Sequence, residues 1–221
     1  MNREKIVEAI PLRDQVADII RQKILRGELE GDEPISERSI SESLNISTTP
    51  VKEAFRMLEA ERLIYVKPRK GSYVSNLSKD FMQQLVFMRG AMEGVAAYYA
   101  TLNIKESEIS LLENIIRDIE TKIEEPGNSK EISKLNAKFH SLLRGACRNE
   151  YLVRMIESMR SIDKTIRELS LTVDDQEPVR AFREHKSLLE ALKAGDPSVT
   201  EQRMVCHVRR VAVLVLSKNK E

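Results

Sequence analysis

Apolar residues recur at helical spacing along most of the chain and alternate along one short stretch only. In "PLRDQVADIIRQKILRG", residues 11–27, Leu12, Val16, Ile19 and Ile20 fall on one side of a helix. Pro11 suits its first turn and Gly27 its stop. After the turn-rich "GELEGDEP", Ser36 can cap a short helix over "ERSISESLN". A third helix begins at "STTPVKEA", where Ser47 or Thr49 offers an oxygen to the unpaired first-turn N–H groups and Pro50 needs no partner. Val51, Ala54, Phe55 and Leu58 form its buried stripe, leaving Lys52 and Arg56 outward. The period then changes. "LIYVKPRKGSYV" holds two β-prone runs around Pro68-Arg69-Lys70-Gly71, a hairpin with a cationic tip.

"SNLSKD" at 75–80 reads as a hinge, dividing the chain into residues 1–76 and 77–221. Beyond it no strand pattern occurs. Five or more amphipathic segments of about 17–24 residues follow, enough for an all-α antiparallel bundle. They break near Asn103, at Pro126-Gly127, near Asn149, at Asp174–Pro178 and at Gly195-Asp196-Pro197. Leu112, Ile115, Ile116, Ile119 and Ile123 share one face. Met82, Met88, Met92, Met155, Met159 and Met204 read as core filler. The predicted fold is mainly α: an N-terminal winged helix-turn-helix followed by a C-terminal helical bundle.

Composition sharpens this picture in three places. With 221 residues, 41% hydrophobic and 32% charged, the chain has material for one large or two modest domains and is not a disordered polymer. No apolar run approaches the roughly 18 residues of a membrane span, and the N-terminus lacks a signal-peptide core, so a cytoplasmic protein with no membrane partner is expected. Cys147 and Cys206 fit no zinc-finger or redox spacing and are expected to be small core residues. The net charge of +1 announces no polyanionic partner, but charge is unevenly spread. Lys52, Arg56, Arg62, Lys67, Arg69 and Lys70 face only Glu53, Glu59 and Glu61 over residues 52–70.

Helix, turn, capped helix and hairpin is the order of a winged helix-turn-helix. The third helix would present Ser47, Thr48, Thr49, Lys52 and Arg56 to a major groove, while Arg69, Lys70 and Gly71 of the wing meet phosphate or the minor groove. The same fold also serves as a protein-interaction module, and pattern alone leaves both readings open.

All three histidines lie in the second half, each on an apolar stripe: His140 beside Phe139 and Leu143, His185 with Phe182 and Leu189, and His207 with Met204, Val208 and Val211. Asn136 precedes His140 by one helical turn and aims at a common point. A single such histidine usually serves as a hydrogen-bonded core residue. Three neutral imidazoles on three inward faces also make a nitrogen-rich metal site, with an amide oxygen as fourth ligand.

Residues 11–75, above all "STTPVKEA", resemble the DNA-binding domain of the GntR family of bacterial transcription regulators. The resemblance implies a homodimer whose recognition helices address a palindromic double-stranded operator, with Arg38, Thr49 and Lys52 on DNA and Lys70 and Gly71 at the wing tip. Thr48 stands where that family commonly has arginine, Lys52 replaces a second arginine, and Arg62 occupies a usual glycine position. Operator sequence therefore does not transfer from relatives. "LNAKFHSLLRGACRNEYL", "REHKSLLEALKAGDPS" and "MVCHVRR" resemble the FCD-type effector domain of the family's FadR-like subfamily, over about residues 80–217. That likeness implies a divalent ion, zinc, nickel or manganese, at Asn136, His140, His185 and His207, completed by a small organic acid. Asn136 stands where aspartate is commoner. "FMRGAMEG" matches an R-x-x-x-E pattern that puts Arg89 either on the effector carboxylate or in an ion pair with Glu93.

The expected function is a metal-dependent, ligand-responsive transcription regulator, a repressor in its simplest form. Two rivals stand beside it: a regulator for which the ion is itself the signal, and a three-histidine metalloenzyme. No HExxH, nucleophile elbow or Gly-rich phosphate loop is present, so an enzyme is not expected.

Overall fold

Local rules account for most element boundaries. The computed structural model of the protein describes residues 10–76, 79–124 and 127–217, which fall into two compact units divided between positions 78 and 79. In the first unit, α1 spans Leu12–Leu25, with Pro11 one position earlier than the sequence suggests, at the N-cap. Helix α2 spans Glu37–Leu44. The Ser39 N–H donates to Ser36 Oγ at 3.2 Å to cap it, and Asn45 closes it in a left-handed conformation at φ 53°. Helix α3 spans Thr48–Ala60 and follows Ser47, whose side chain makes no capping hydrogen bond; Thr49 lies inside the first turn. The expected hydroxyl cap is absent.

Strands β1 (Pro34–Ile35), β2 (Ile64–Lys67) and β3 (Gly71–Val74) form an antiparallel sheet in the order β1-β3-β2. The hairpin pairs Tyr65 with Tyr73 and Lys67 with Gly71. Arg69 and Gly71 both take positive φ, 63° and 102°, to turn the chain. Arg62 also has φ 59°, the conformation that makes glycine favourable at that position. The two-residue β1, too short to show a period, was not expected. The core gathers Val16, Ala17, Ile20, Val51, Phe55 and Leu58, whereas Leu12 and Ile19 are exposed. The apolar side of α1 is thus narrower than expected, because Arg21 takes part of it: this guanidinium is buried and grips both Glu61 oxygens at 2.7 and 2.8 Å.

The second unit contains α4 (Lys79–Asn103), α5 (Glu106–Glu124), α6 (Ser129–Ala146), α7 (Glu150–Glu157), α8 (Arg160–Val173), α9 (Glu177–Lys193) and α10 (Pro197–Ser217), with no strand among the described residues. Asn149 caps α7 by accepting from the Leu152 N–H at 3.0 Å. The expected single segment after Asn149 is two helices of 8 and 14 residues. A turn at Ser158 and Met159 separates them without glycine or proline, closed by Ser158 and Met159 N–H bonds to Arg154 and Ile156 carbonyls. Pro126, named as a break, lies outside the described residues.

Helix α10 packs chiefly on α4, and small residues permit the approach. A Cβ at Gly94 would sit 2.5 Å from Val205 Cγ2, and one at Gly90 3.3 Å from Arg209 Cγ. Two compositional expectations need correction. Cys147 is buried but Cys206 is exposed, because it lies on the outward side of α10 beside inward-facing His207. Met204 is fully buried, yet Met88 and Met155 are exposed and Met92 and Met159 half-buried, so methionine does not mark the core here. The Met82 side chain lies outside the description. Among the described residues, no helix is long and apolar enough to cross a membrane.

Candidate metal centre and nucleic-acid interface

Helices α6, α9 and α10 each contribute one histidine to the same cavity of about 30 Å³. Relative exposures are 3% for His140, 1% for His185 and 6% for His207. His185 Nε2 lies 3.2 Å from His140 Nε2 and 3.1 Å from His207 Nε2. Three nitrogens bound at about 2.0–2.1 Å to one ion must stand roughly 3–3.4 Å apart, so these two separations fit a shared ligand sphere. Phe139 stacks on His185 with ring centroids 4.6 Å apart and fixes its plane. Burial first, then the neighbouring imidazoles, holds His140 well below the usual histidine range. Burial, His207 and then Arg167 and Arg210 do the same to His185. Both rings are therefore neutral near pH 7, the form with a lone pair to give.

Asn136 lines the same cavity, and its buried Oδ1 accepts no hydrogen bond among the described residues. It is the residue that the sequence reading named as a fourth donor. The Nδ1 atoms of His140 and His185 likewise find no partner there.

His207 differs. Its Nδ1 faces Glu184 Oε2 at 2.6 Å, so Nδ1–H donates to the carboxylate and Nε2 is the nitrogen turned toward the cavity. Arg210 donates to both Glu184 oxygens and also grips buried Glu177 at 2.7 and 2.9 Å. Burial pulls the Arg210 guanidinium down, but the bonds to Glu177 and Glu184 outweigh it and hold it raised. Burial raises Glu184, and its bonds to His207 and Arg210 more than reverse that. The sequence reading missed this carboxylate-guanidinium chain. Its signal was an acid adjoining His185 and an arginine one turn beyond His207.

Arg89 pairs with Glu93 at 2.8 Å and with Asp163 at 2.6 Å, and it also lines the cavity. The internal ion pair exists. Glu93 further accepts from Arg144 at 2.8 Å, and Asp163 lies 3.1 Å from Arg167. Asp163, Arg144 and Arg167 were not singled out by sequence.

In the first unit, Arg38, Ser47, Thr48, Thr49, Lys52, Arg56, Arg69, Lys70 and Gly71 are all exposed. Thr48, Lys52 and Arg56 recur at four-residue spacing on the side of α3 opposite Val51, Ala54 and Leu58. Arg38 pairs with Glu42 at 2.8 Å. Lys67 is drawn over the Tyr73 ring at 4.3 Å, so part of the basic excess belongs to the wing's own packing.

The chain is similar to known proteins over both of its units. Residues 12–74 match the model described as "Bacterial regulatory proteins, gntR family", and residues 84–210 match the FCD domain. The chain is 28% identical to the HTH-type transcriptional repressor RspR of Escherichia coli, over 96% of this chain and 92% of that protein. It is 30% identical to a probable D-xylose utilization operon transcriptional repressor of Paenarthrobacter nicotinovorans, over 88% and 84%. Among solved structures, Escherichia coli McbR/YncC has the same fold at TM-score 0.67 and 20% identity, covering 96% of this chain and 100% of that one.

Proposed function

This chain belongs to the gntR family of bacterial regulatory proteins and carries its FCD domain, and we propose that the imidazole pocket makes its DNA binding answer to a small organic acid. It is a DNA-binding transcriptional regulator rather than an enzyme. The repressors among its relatives support repression as the output.

The observation that carries the proposal is the convergence of three buried Nε2 atoms, two of the separations being 3.1 and 3.2 Å. His140, His185, His207 and the Asn136 amide oxygen would hold a divalent ion, zinc, nickel or manganese. When bound, it would supply a Lewis-acidic point for one carboxylate oxygen. Asn136, being neutral, leaves more of that charge for an anion to balance. Arg89, already within the cavity wall, is positioned to orient the acid.

An acid in this cavity touches α4, α6, α8, α9 and α10 at once, so it favours whichever packing of those helices suits it best. In a homodimer on a palindromic operator, recognition helices must stand about one DNA turn apart, roughly 34 Å, and a modest reorientation forfeits specific binding. Full-length protein incubated with zinc, nickel or manganese should retain a stoichiometric ion by elemental analysis, and His185→Ala with His207→Ala should lose it. Operator binding of the loaded protein should fall when the cognate acid is added. Protein that stays metal-free with all three ions defeats the proposal. Binding that follows free metal alone would make the ion the signal.

A further inference from the structure

Arg167 is left unused by the reading above. It stands on α8 in the wall of the histidine cavity, with Nη1 3.1 Å from Asp163 Oδ2. Arg89 Nη1 lies 2.6 Å from the other oxygen of the same carboxylate. Asp163 thus clamps two guanidiniums side by side. Each retains a buried Nε–H with no acceptor among the described residues.

Ion pairing inside the wall does not use these two donors. Arg89, Arg144 and Arg167 meet two buried carboxylates, Glu93 and Asp163. The other acid on Arg144, Glu157, is 37% exposed and screened by water. Burial lowers the Arg167 guanidinium, against the pull of Asp163. Two buried guanidinium N–H donors without an acceptor, on residues that line one cavity, are polar groups that call for an acceptor from a bound molecule. At about 30 Å³ the cavity holds roughly two waters, so its occupant is compact or must part the helices slightly.

We propose that the effector is a short dianion, with one carboxylate at the histidine end of the cavity and a second acidic group taken by the Nε edges of Arg167 and Arg89. This rests on the organic-acid reading of the pocket and names the class of acid. Arg167 then sets specificity, because a monocarboxylate leaves its Nε–H idle.

Calorimetric titration of the zinc-loaded full chain with malonate and succinate, against propionate and butyrate, tests the idea. A dicarboxylate should bind on the order of tenfold tighter than the monocarboxylate of equal length. Arg167→Gln should abolish that advantage and leave monocarboxylate affinity unchanged, while Arg167→Lys should keep part of it. Circular dichroism and zinc stoichiometry qualify each variant; if Arg167→Gln does not load, the wild-type ratio decides. Equal affinities in the wild type, or a loss in Arg167→Gln that strikes both classes alike, overturns the dianion and spares the organic-acid reading. No binding of any carboxylate to loaded protein overturns both.

Discussion

Glu184 decides which nitrogen of His207 faces the cavity, since the proton on Nδ1 is committed to its carboxylate at 2.6 Å. Glu184→Ala should therefore lower zinc affinity by about 10–100-fold, measured by competition with a chromophoric chelator, and Glu184→Gln by less. Unchanged affinity in both would mean that the ring is oriented by packing alone. His140 and His185 make a second prediction, through pH. Both are held below their ordinary value, so the unfolded chain protonates them first as pH falls. The unfolded state then binds more protons, and stability of chelator-treated protein should decline below about pH 6.5, by up to ~1.4 kcal/mol per pH unit for each imidazole. Urea unfolding between about pH 7.5 and pH 5.5 would reveal this, and a flat profile would contradict it. The three histidines were legible in sequence because each interrupts an apolar stripe. Glu184, Asp163 and Arg167 were not, because a polar residue within a charged helix reads as a solvated face. Only the packing of a second helix against it reveals burial.

At the scale of elements, Gly94 is the position where sequence and packing are most tightly tied. Gly94→Ala places a methyl 2.5 Å from Val205 Cγ2, and the displaced helices should lose about 1–3 kcal/mol of stability, read as a lower melting temperature. Helix propensity argues the opposite sign, since alanine is the better helix former by roughly 1 kcal/mol, so the measured direction separates the two effects. The wing was legible because Gly71 and the cationic loop punctuate two alternating runs. The break between α7 and α8 was not, because "VRMIESMRSIDKTI" carries no glycine or proline and keeps a helical period throughout. Strand β1 escaped for a different reason: two residues acquire strand character only from their pairing with Tyr73 and Ser72.

For the whole molecule, a net charge of +1 conceals an exposed basic edge on α3 and the wing. Lys52→Ala and Lys70→Ala should each weaken operator binding and reduce the slope of log affinity against log salt by about 0.9. Slopes unchanged in both variants would place the contact face elsewhere. The division into a winged helix-turn-helix and a helical bundle was readable from the change of hydrophobic period, because each unit has its own stripe pattern. The acidic and basic lattice around the histidines arises only once helices distant in sequence meet. The glycine seam between α4 and α10 carries a consequence for synthesis. Those helices open and close the C-terminal unit, so a nascent chain must wait on the order of ten seconds after making Gly94 before Val205 is made. A polypeptide stalled or terminated in that interval lacks the mate of α4 and lacks His207, yet retains every exposed residue assigned to the operator. Such a fragment would carry a finished N-terminal unit on an unclosed C-terminal one.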